Sequence, residues 1–195
     1  CTSMIKGIIG NDVTLDIHGG GNDLIFPHHE NEIAQGSCVS QKKYCNYWFH
    51  NGIVLVDKKK MSKSLGNVIL LDDLLKRFNS DVIRIALLSA HYRQPLNWSD
   101  KTLINSKNLY KKIKSVELPN VNVDNNDFDI EIQDILSDDL NTPEALSYIA
   151  QLAKHSHKNP NDAIKLIKAT NFIGLDITKN ESQLTNKTEL KNIES

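Results

Sequence analysis

Three short segments in the first third of the chain combine residue types that suit phosphate and metal chemistry. Residues 60–64 read KMSKS and offer ammonium groups for a phosphate grip, residues 18–23 read HGGGND and offer a glycine turn, and residues 27–32 read PHHENE and offer metal ligands. Together they meet the needs of an enzyme that activates a carboxylate with ATP while it holds a thiol on zinc. Few other chemistries require all three.

The histidine and the second glutamate of the third segment have the spacing of a shared metal site. On a helix, His28 and Glu32 lie one turn apart on the same face, so both can bind one cation. Cys1 adds a third donor, and imidazole, carboxylate and thiolate are all ordinary zinc ligands. The spacing alone leaves a simpler interpretation open, which is an exposed helix with a hydrogen bond between the two side chains.

The lysine and glycine segments suit a nucleotide. Activation of an amino acid is attack by a carboxylate on the α-phosphorus of ATP, and mobile ammonium groups stabilise the charge that gathers on the departing pyrophosphate. Glycines at the end of a strand let adenine and ribose lie against the backbone, and Asp23 can accept hydrogen bonds from ribose hydroxyls or a substrate amine. Taken alone, three glycines also fit an ordinary turn.

The segment HGGGNDLIFPHHENEIAQ, the KMSKS motif and the opening CTSM resemble the catalytic domain of cysteinyl-tRNA synthetase. The resemblance implies that Cys1, His28 and Glu32 are zinc ligands, and that a fourth ligand, a cysteine, lies upstream of this chain. His29 would then lie beside these ligands, the alternative being a simple core or helix-cap histidine.

The resemblance also implies which residues handle ATP. Lys60 and Lys63 are the catalytic ammonium groups, whereas Lys58 and Lys59 form a solvated or RNA-facing run. The resemblance implies that the following residues surround the nucleotide: His18, Gly20, Gly21, Asp23 and Lys63. Mg²⁺ would accompany ATP, and the sequence identifies no dedicated carboxylate cage for it.

The implied reaction converts cysteine and ATP to cysteinyl-adenylate and pyrophosphate, and then transfers the cysteinyl group to the terminal ribose hydroxyl of tRNA(Cys). Its cofactors are zinc, ATP and Mg²⁺, and its partners are ATP, L-cysteine and tRNA(Cys), with a monomeric chain in the cytoplasm and no membrane. A thiol has a pKa of about 8.5 and a hydroxyl behaves like water near about 15.7, so binding of the anion to zinc favours cysteine over serine by at most about 10 kcal/mol. Selectivity of this size makes a separate editing site unnecessary.

The amino-acid composition fits a protein without a membrane span in a reducing compartment. The chain has 195 residues, 39% of them hydrophobic and 24% charged, and is long enough to bury a core. Its longest apolar runs are only a few residues, far short of the roughly 20 needed to cross a bilayer, and its first residues do not form a signal peptide. Three cysteines (Cys1, Cys38 and Cys45) are too few and too irregularly spaced for a disulfide framework, which indicates a reducing compartment.

Charge is divided unevenly along the chain. Residues 1–114 contain 16 Lys and Arg against 10 Asp and Glu, whereas residues 115–195 contain 7 against 14, so the net charges are +6 and −7. The positive half would attract polyanions. The candidate phosphate contacts, each with a solvated surface residue as its alternative, are Arg77, Arg84, Arg93 and Lys101.

Periodicity predicts the elements that position the motifs. Residues 13–18 alternate apolar and polar positions and form a strand that ends in the glycine turn. Pro27 suits the first position of a helix, where its missing N–H costs nothing. Residues 47–56 surround Asn51-Gly52 with aromatic and β-branched residues, which predicts another strand or a hairpin.

The rest of the chain is predicted to be helical. Apolar residues recur at three- and four-residue intervals over residues 71–78, 80–90 and 99–118. Asn141 and Asn159, each followed within two residues by proline, mark the starts of two further helices. Residues 119–129 are predicted to be a connecting loop, and the residues after Gly174 a loose polar tail.

We therefore predict an α/β fold followed by helices. Residues 1–67 would be the second half of a class I synthetase Rossmann-like parallel sheet, and the later divisions would be a stem-contact region at 68–98, an all-α bundle of the tRNA-binding type at 99–175, and a polar tail at 176–195. The upstream nucleotide motif and first zinc cysteine are missing, so we expect this chain to be a fragment that is inactive alone.

Two other functions fit the same residues. A cysteine ligase that transfers to an amino sugar, as in mycothiol synthesis, would share the zinc and ATP sites, and its acceptor would distinguish it. A non-catalytic RNA-binding or zinc-stabilised module derived from a synthetase would lack the upstream half with its H-x-G-H motif.

Overall fold

The computed structural model describes residues 1–40, 42–119 and 128–178, and these form two compact units. The first unit consists of residues 1–68 and 91–98, and the second consists of residues 69–90 and the chain from Ser99 onward. The backbone therefore passes from one unit to the other three times, and each unit is described by itself below.

The first unit contains a parallel pair of strands with a helical crossover. Its elements up to residue 51 are α1 (Thr2–Ile9), β1 (Leu15–Gly21), α2 (Glu30–Val39) and β2 (Cys45–Asn51). Leu15 lies opposite Cys45 and Gly21 lies opposite Asn51, so the two strands start and finish together. Parallel strands need a long connection, and α2 supplies it.

A second, mixed sheet completes the first unit. Its strands are β3 (Val54–Val56), β4 (Lys59–Lys60) and β5 (Leu96–Trp98), with β3 in the middle. β3 runs antiparallel to β4 and parallel to β5. The prediction of a strand within residues 47–56 is confirmed, but a hairpin is wrong, because β2 and β3 belong to different sheets.

The second unit is helical, as predicted. Its helices are α3 (Leu71–Leu75), α4 (Ser80–Leu88), α5 (Asp100–Lys114), α6 (Ile130–Ser137), α7 (Thr142–His155) and α8 (Pro160–Phe172). The side chains that are almost completely buried at its centre include Ile85, Ile113, Ile132, Ile149 and Leu166. An α/β part followed by a helical part is therefore the observed fold class. No described helix has the length and apolar character that a membrane span requires.

Two helix starts predicted from asparagine are confirmed. The side chain of Asn141 accepts a hydrogen bond from the backbone N–H of Glu144 at the start of α7, and Asn159 accepts one from the N–H of Asn161 at the start of α8. A cap of this kind satisfies an N–H that the helix itself cannot bond.

The prediction of a loose tail after Gly174 is wrong for its first residues. Leu175 and Ile177 are 1% and 4% exposed and belong to the core of the helical unit. Burial of these two apolar side chains outweighs the polar character of their neighbours. The remainder of that tail, and most of the loop predicted over residues 119–129, lie outside the described residues.

A partly buried hydrogen bond connects the residue that caps α6 with α7, and it gives a first prediction. Tyr148 donates its hydroxyl to Oδ1 of Asp129 at 2.8 Å, and the same oxygen accepts the backbone N–H of Ile132 at 3.3 Å. Burial, and then the contact with Asp129, raises the pKa of Tyr148. We expect Tyr148→Phe to lower the free energy of unfolding by about 1.5–3 kcal/mol, the usual range for a hydrogen bond to a charged acceptor.

Calorimetric unfolding tests this expectation. Tyr47→Phe is the matched control, because the Tyr47 side chain is exposed and its hydroxyl makes no hydrogen bond with a described residue. Equal stability of the Tyr148→Phe variant and the parent chain would show that the Asp129 contact contributes nothing.

Candidate active site

The three glycines lie within β1 and not in a turn, contrary to the prediction. Gly19, Gly20 and Gly21 pair with residues of β2, and the chain turns only afterwards, at Asn22–Leu24. A Cβ on Gly19 would lie 2.7 Å from the backbone oxygen of Phe49. Gly19 is therefore needed for a close approach to the neighbouring strand, and the strand pairing outweighs the usual preference of the three glycines for turns.

The helix that carries the predicted metal ligands begins later than Pro27. Residues Ile25–His29 form an irregular turn with a cis Phe26–Pro27 peptide bond, and the regular helix α2 begins at Glu30. The extended backbone of Phe26 breaks the helical path before Pro27. His28 and Glu32 nevertheless share a face, with 3.5 Å between His28 Nε2 and Glu32 Oε1.

Donor atoms of the three predicted metal ligands converge. One ligand atom each from Cys1, His28 and Glu32 lies within 4.8 Å of the others. The same limit holds for a second, overlapping set, His18, His29 and Glu32. A thiolate, an imidazole and a carboxylate at this separation suit a zinc ion, and only a small movement would bring them to zinc-ligand distances of about 2.0–2.3 Å.

Glu32 is the centre of this arrangement. Its side chain is 4% exposed, and Nε2 of His18 lies 2.7 Å from Oε2. That approach lacks the alignment of a hydrogen bond, so Oε2 is a buried acceptor without a donor among the described residues. A buried carboxylate oxygen in this condition is costly unless a cation compensates it, so the residues present fit a metal ion.

A cluster of rings packs around the carboxylate, and sequence reasoning missed part of it. His29 Nδ1 lies 2.7 Å from His50 Nε2, and Trp48 lies edge-on to His18 with 5.0 Å between ring centroids. Burial, and then the neighbouring His18 and His50 rings, lowers the pKa of His29. Both missed residues come from β2, and only the pairing of β2 with β1 brings them here.

The KMSKS segment forms a closed loop. Ser62 accepts a hydrogen bond from the backbone N–H of Leu65, which caps a single helical turn at Lys63–Leu65. Asn67 spans the base of the loop, since its Oδ1 accepts the N–H of Ser62 at 2.9 Å and its Nδ2 donates to the carbonyl oxygen of Lys60 at 3.2 Å. Sequence reasoning did not single out Asn67.

The two predicted catalytic lysines have different surroundings. Lys60 Nζ lies 3.0 Å from Oδ2 of Asp23, an ion pair that is half-exposed at both ends and that joins the loop to the residues after β1. The Lys60 ammonium holds the pKa of Asp23 below its ordinary value. Lys63 is exposed and has no carboxylate partner in the described part of the chain.

The other predicted basic residues are surface residues. Lys58 and Lys59 are exposed, as are Arg77, Arg84 and Lys101. The guanidinium carbon of Arg93 lies 4.9 Å from the centre of the Tyr92 ring. None of these contacts identifies a phosphate by itself.

Helix α2 packs against the Tyr44 ring at Gly36, and this contact provides a second prediction. A Cβ on Gly36 would overlap the Tyr44 ring, whereas a Cβ on Gly7 of α1 would meet open space. We expect Gly36→Ala to lower the free energy of unfolding by about 1–3 kcal/mol through overpacking. Gly7→Ala should raise it by about 0.5–1 kcal/mol, because alanine favours helix.

Thermal unfolding of the two glycine variants tests the two predicted changes in stability. The substitution is the same in both, so the opposite signs isolate the contact with Tyr44. Stabilisation by Gly36→Ala would mean that the helix is not held against this ring.

Comparison with protein families matches two parts of the chain. Residues 1–108 match the model described as the tRNA synthetases class I (C) catalytic domain, and residues 131–175 match the DALR domain. The first match covers more than half of the chain and includes the converging donors and the KMSKS loop.

Curated proteins of similar sequence include a Cysteine--tRNA ligase from Pelagibacter ubique, 44% identical over 184 residues, which cover 93% of this chain and 40% of that protein. A Cysteine--tRNA ligase from Maricaulis maris is 43% identical over 184 residues, with coverage of 90% and 40%. The chain thus spans about 40% of the length of these curated relatives.

Solved structures agree in fold. A ternary complex of Agrobacterium radiobacter LeuRS, tRNA and LeuAMS has a TM-score of 0.52 and 18% identity, with coverage of 81% of this chain and 24% of that one. A putative arginyl tRNA synthetase from Campylobacter jejuni has a TM-score of 0.51 and 15% identity, with coverage of 90% and 49%.

Proposed function

This chain belongs to the class I (C) tRNA synthetase family, and on that basis we propose that it carries part of the active site of a cysteine--tRNA ligase. The reaction joins L-cysteine to ATP, releases pyrophosphate, and passes the cysteinyl group from the adenylate to the terminal ribose hydroxyl of tRNA(Cys). The observation that carries the proposal is the convergence of Cys1, His28 and Glu32 donor atoms within 4.8 Å of one another.

The metal proposed for this site is zinc, held by Cys1, His28 and Glu32. A zinc ion bound there would supply an electrophile that prefers the thiolate of the substrate to a hydroxyl. Burial of Glu32, whose Oε2 accepts no hydrogen bond from the described residues, supports a cation in this position. His18, which approaches that oxygen at 2.7 Å, would orient the carboxylate.

The nucleotide is proposed to lie against the end of β1. Leu24 and His29 fill the space beside Gly20, and the Asp23 carboxylate lies beside Gly21. Adenine and ribose would therefore meet the strand end at Gly21 together with Asp23. Asp23 follows two residues after the strand ends and has a carboxylate that accepts hydrogen bonds from ribose hydroxyls or from the amine of cysteine.

The KMSKS loop is proposed to stabilise the departing pyrophosphate. Lys63 has no carboxylate partner among the described residues, so its charge is available to the β- and γ-phosphates. Lys60 would exchange Asp23 for phosphate, which would free that carboxylate for the substrate. Mg²⁺ would enter with ATP and neutralise part of the same charge.

The free thiols support a proposal about the cell compartment. Cys1, Cys38 and Cys45 are all free, which fits a reducing cytoplasm, and we propose a monomeric enzyme there.

The test uses the purified full-length protein and two assays. Cysteine-dependent ATP–pyrophosphate exchange measures activation, with serine as the competing substrate, and transfer is measured with tRNA(Cys) and with an amino sugar as acceptors. The proposal expects exchange with cysteine, little with serine, and charging of the tRNA. Transfer to the amino sugar but not to tRNA would replace it with the other ligase, and no exchange at all would leave a non-catalytic module.

A further inference from the structure

A groove of about 490 Å³ on the helical unit is lined by four cationic residues. Lys107, Lys111 and Lys114 come from α5, and Arg77 comes from the chain just after α3. No aspartate or glutamate is among the described residues that line it. The groove therefore concentrates positive charge in a concave surface, where the field of several cations adds.

The lysines form one row. Their spacing of four and then three residues places them on a single face of α5, and the only acidic residue of that helix, Asp100, is at its other end. Lysines at this spacing repel one another, which costs helix stability unless an anion compensates. Arg77, Lys107 and Lys111 have no carboxylate partner in the described ranges, and Lys114 Nζ donates to the Ile177 carbonyl oxygen at 2.9 Å.

The floor of the groove is fixed. Tyr110 is 7% exposed, and its hydroxyl lies 3.4 Å from Nδ2 of Asn79, which also caps α4. The guanidinium carbon of Arg77 lies 5.4 Å from the centre of the Phe78 ring. The rings are thus used within the fold and offer no open stacking surface, so this groove suits backbone phosphates better than bases.

The length of the row selects the kind of anion. From Lys107 to Lys114 the helix rises about 10 Å, at 1.5 Å per residue. This length is more than a single phosphate needs, whereas a strand with regularly repeated phosphates can lie along the whole row. We propose that this groove binds the phosphodiester backbone of RNA without reading its sequence.

The choice of RNA rests on the proposed function, which makes tRNA the acceptor. The proposal goes further by naming the surface and the chemical group it holds. Lysines on a convex face would be sufficiently explained as solubility residues, but these four cationic residues line a concavity that lacks any acidic lining among the described residues.

The test is a double variant of the full-length protein, Lys107→Ala with Lys111→Ala, assayed for binding to a fluorescent tRNA transcript over a range of KCl concentrations. Both side chains are exposed, and a melting curve verifies that each variant is folded. We expect about tenfold weaker binding at low salt. The slope of log Kd against log salt should be smaller by about 2, because each of the two lysines neutralises one phosphate of the bound RNA.

The matched control is Lys112→Ala with Lys154→Ala, which removes the same charge from exposed positions outside the groove. It should keep the parent slope. The groove proposal is overturned if the test variant keeps the parent slope, if both variants lose it equally, or if the test variant loses binding to heparin but not to tRNA. Absence of cysteine-dependent exchange in the parent protein would instead contradict the proposed function, and the binding slopes would still decide the groove.

Discussion

Glu32→Gln should remove zinc from the full-length protein and lower cysteine-dependent ATP–pyrophosphate exchange by more than about 100-fold. The Glu32 side chain is 4% exposed, and its carboxylate contacts His28 through one oxygen and approaches His18 through the other. Glutamine keeps the shape and removes the charge that a cation needs. Loss of a residue that only supports a metal ligand costs about 10–100-fold, so loss of a ligand itself should exceed that range.

Elemental analysis for zinc and the exchange assay test this result together. Glu30→Gln is the matched control, since Glu30 is exposed on the same helix and two residues away. It should keep both zinc and activity. A Glu32→Gln protein that retains its zinc would remove Glu32 from the ligand set, whatever happens to the rate.

Lys63→Ala should slow the same exchange by more than about tenfold while cysteine binding stays nearly intact. The ammonium group acts on charge that appears as pyrophosphate departs, so its loss should raise the barrier without weakening the ground state. Its exposed position in the turn at Lys63–Leu65 means that alanine removes no packing.

The comparison is with Lys59→Ala, which removes an exposed ammonium four residues earlier, from β4. That variant should exchange at close to the parent rate, because no RNA is present in the assay. Steady-state titration with cysteine and ATP separates binding from turnover. An unchanged exchange rate in Lys63→Ala would exclude this lysine from the mechanism.

The positions of the candidate metal ligands were predictable in part. The spacing of His28 and Glu32 is local, and a helix brings the two side chains together whatever surrounds it. The place of Cys1 is different, because α1 and α2 are separate elements and no spacing rule sets the distance between them. Only the family resemblance indicated that its thiol lies near the other two donors.

The rings around the carboxylate were not predictable from spacing. His50 enters the site because it lies opposite Gly20 in the register of β1 with β2, and this register is a property of the folded sheet. The same pairing keeps the glycines extended, against their preference for a turn. In the tail, Leu175 and Ile177 are only two apolar residues in a polar stretch, too few to indicate a core by periodicity.

The first unit is built from two separate segments of the chain, residues 1–68 and 91–98, and this affects the order in which it forms on the ribosome. β3 finds its parallel neighbour, β5, only about 40 residues later, because Val54 pairs with Leu96. At about 5–20 residues per second, translation leaves that edge bare for about 2–8 s while the helices α3 and α4 are made. The mixed sheet that leads into the KMSKS loop is therefore completed only after α3 and α4 of the helical unit have been synthesised.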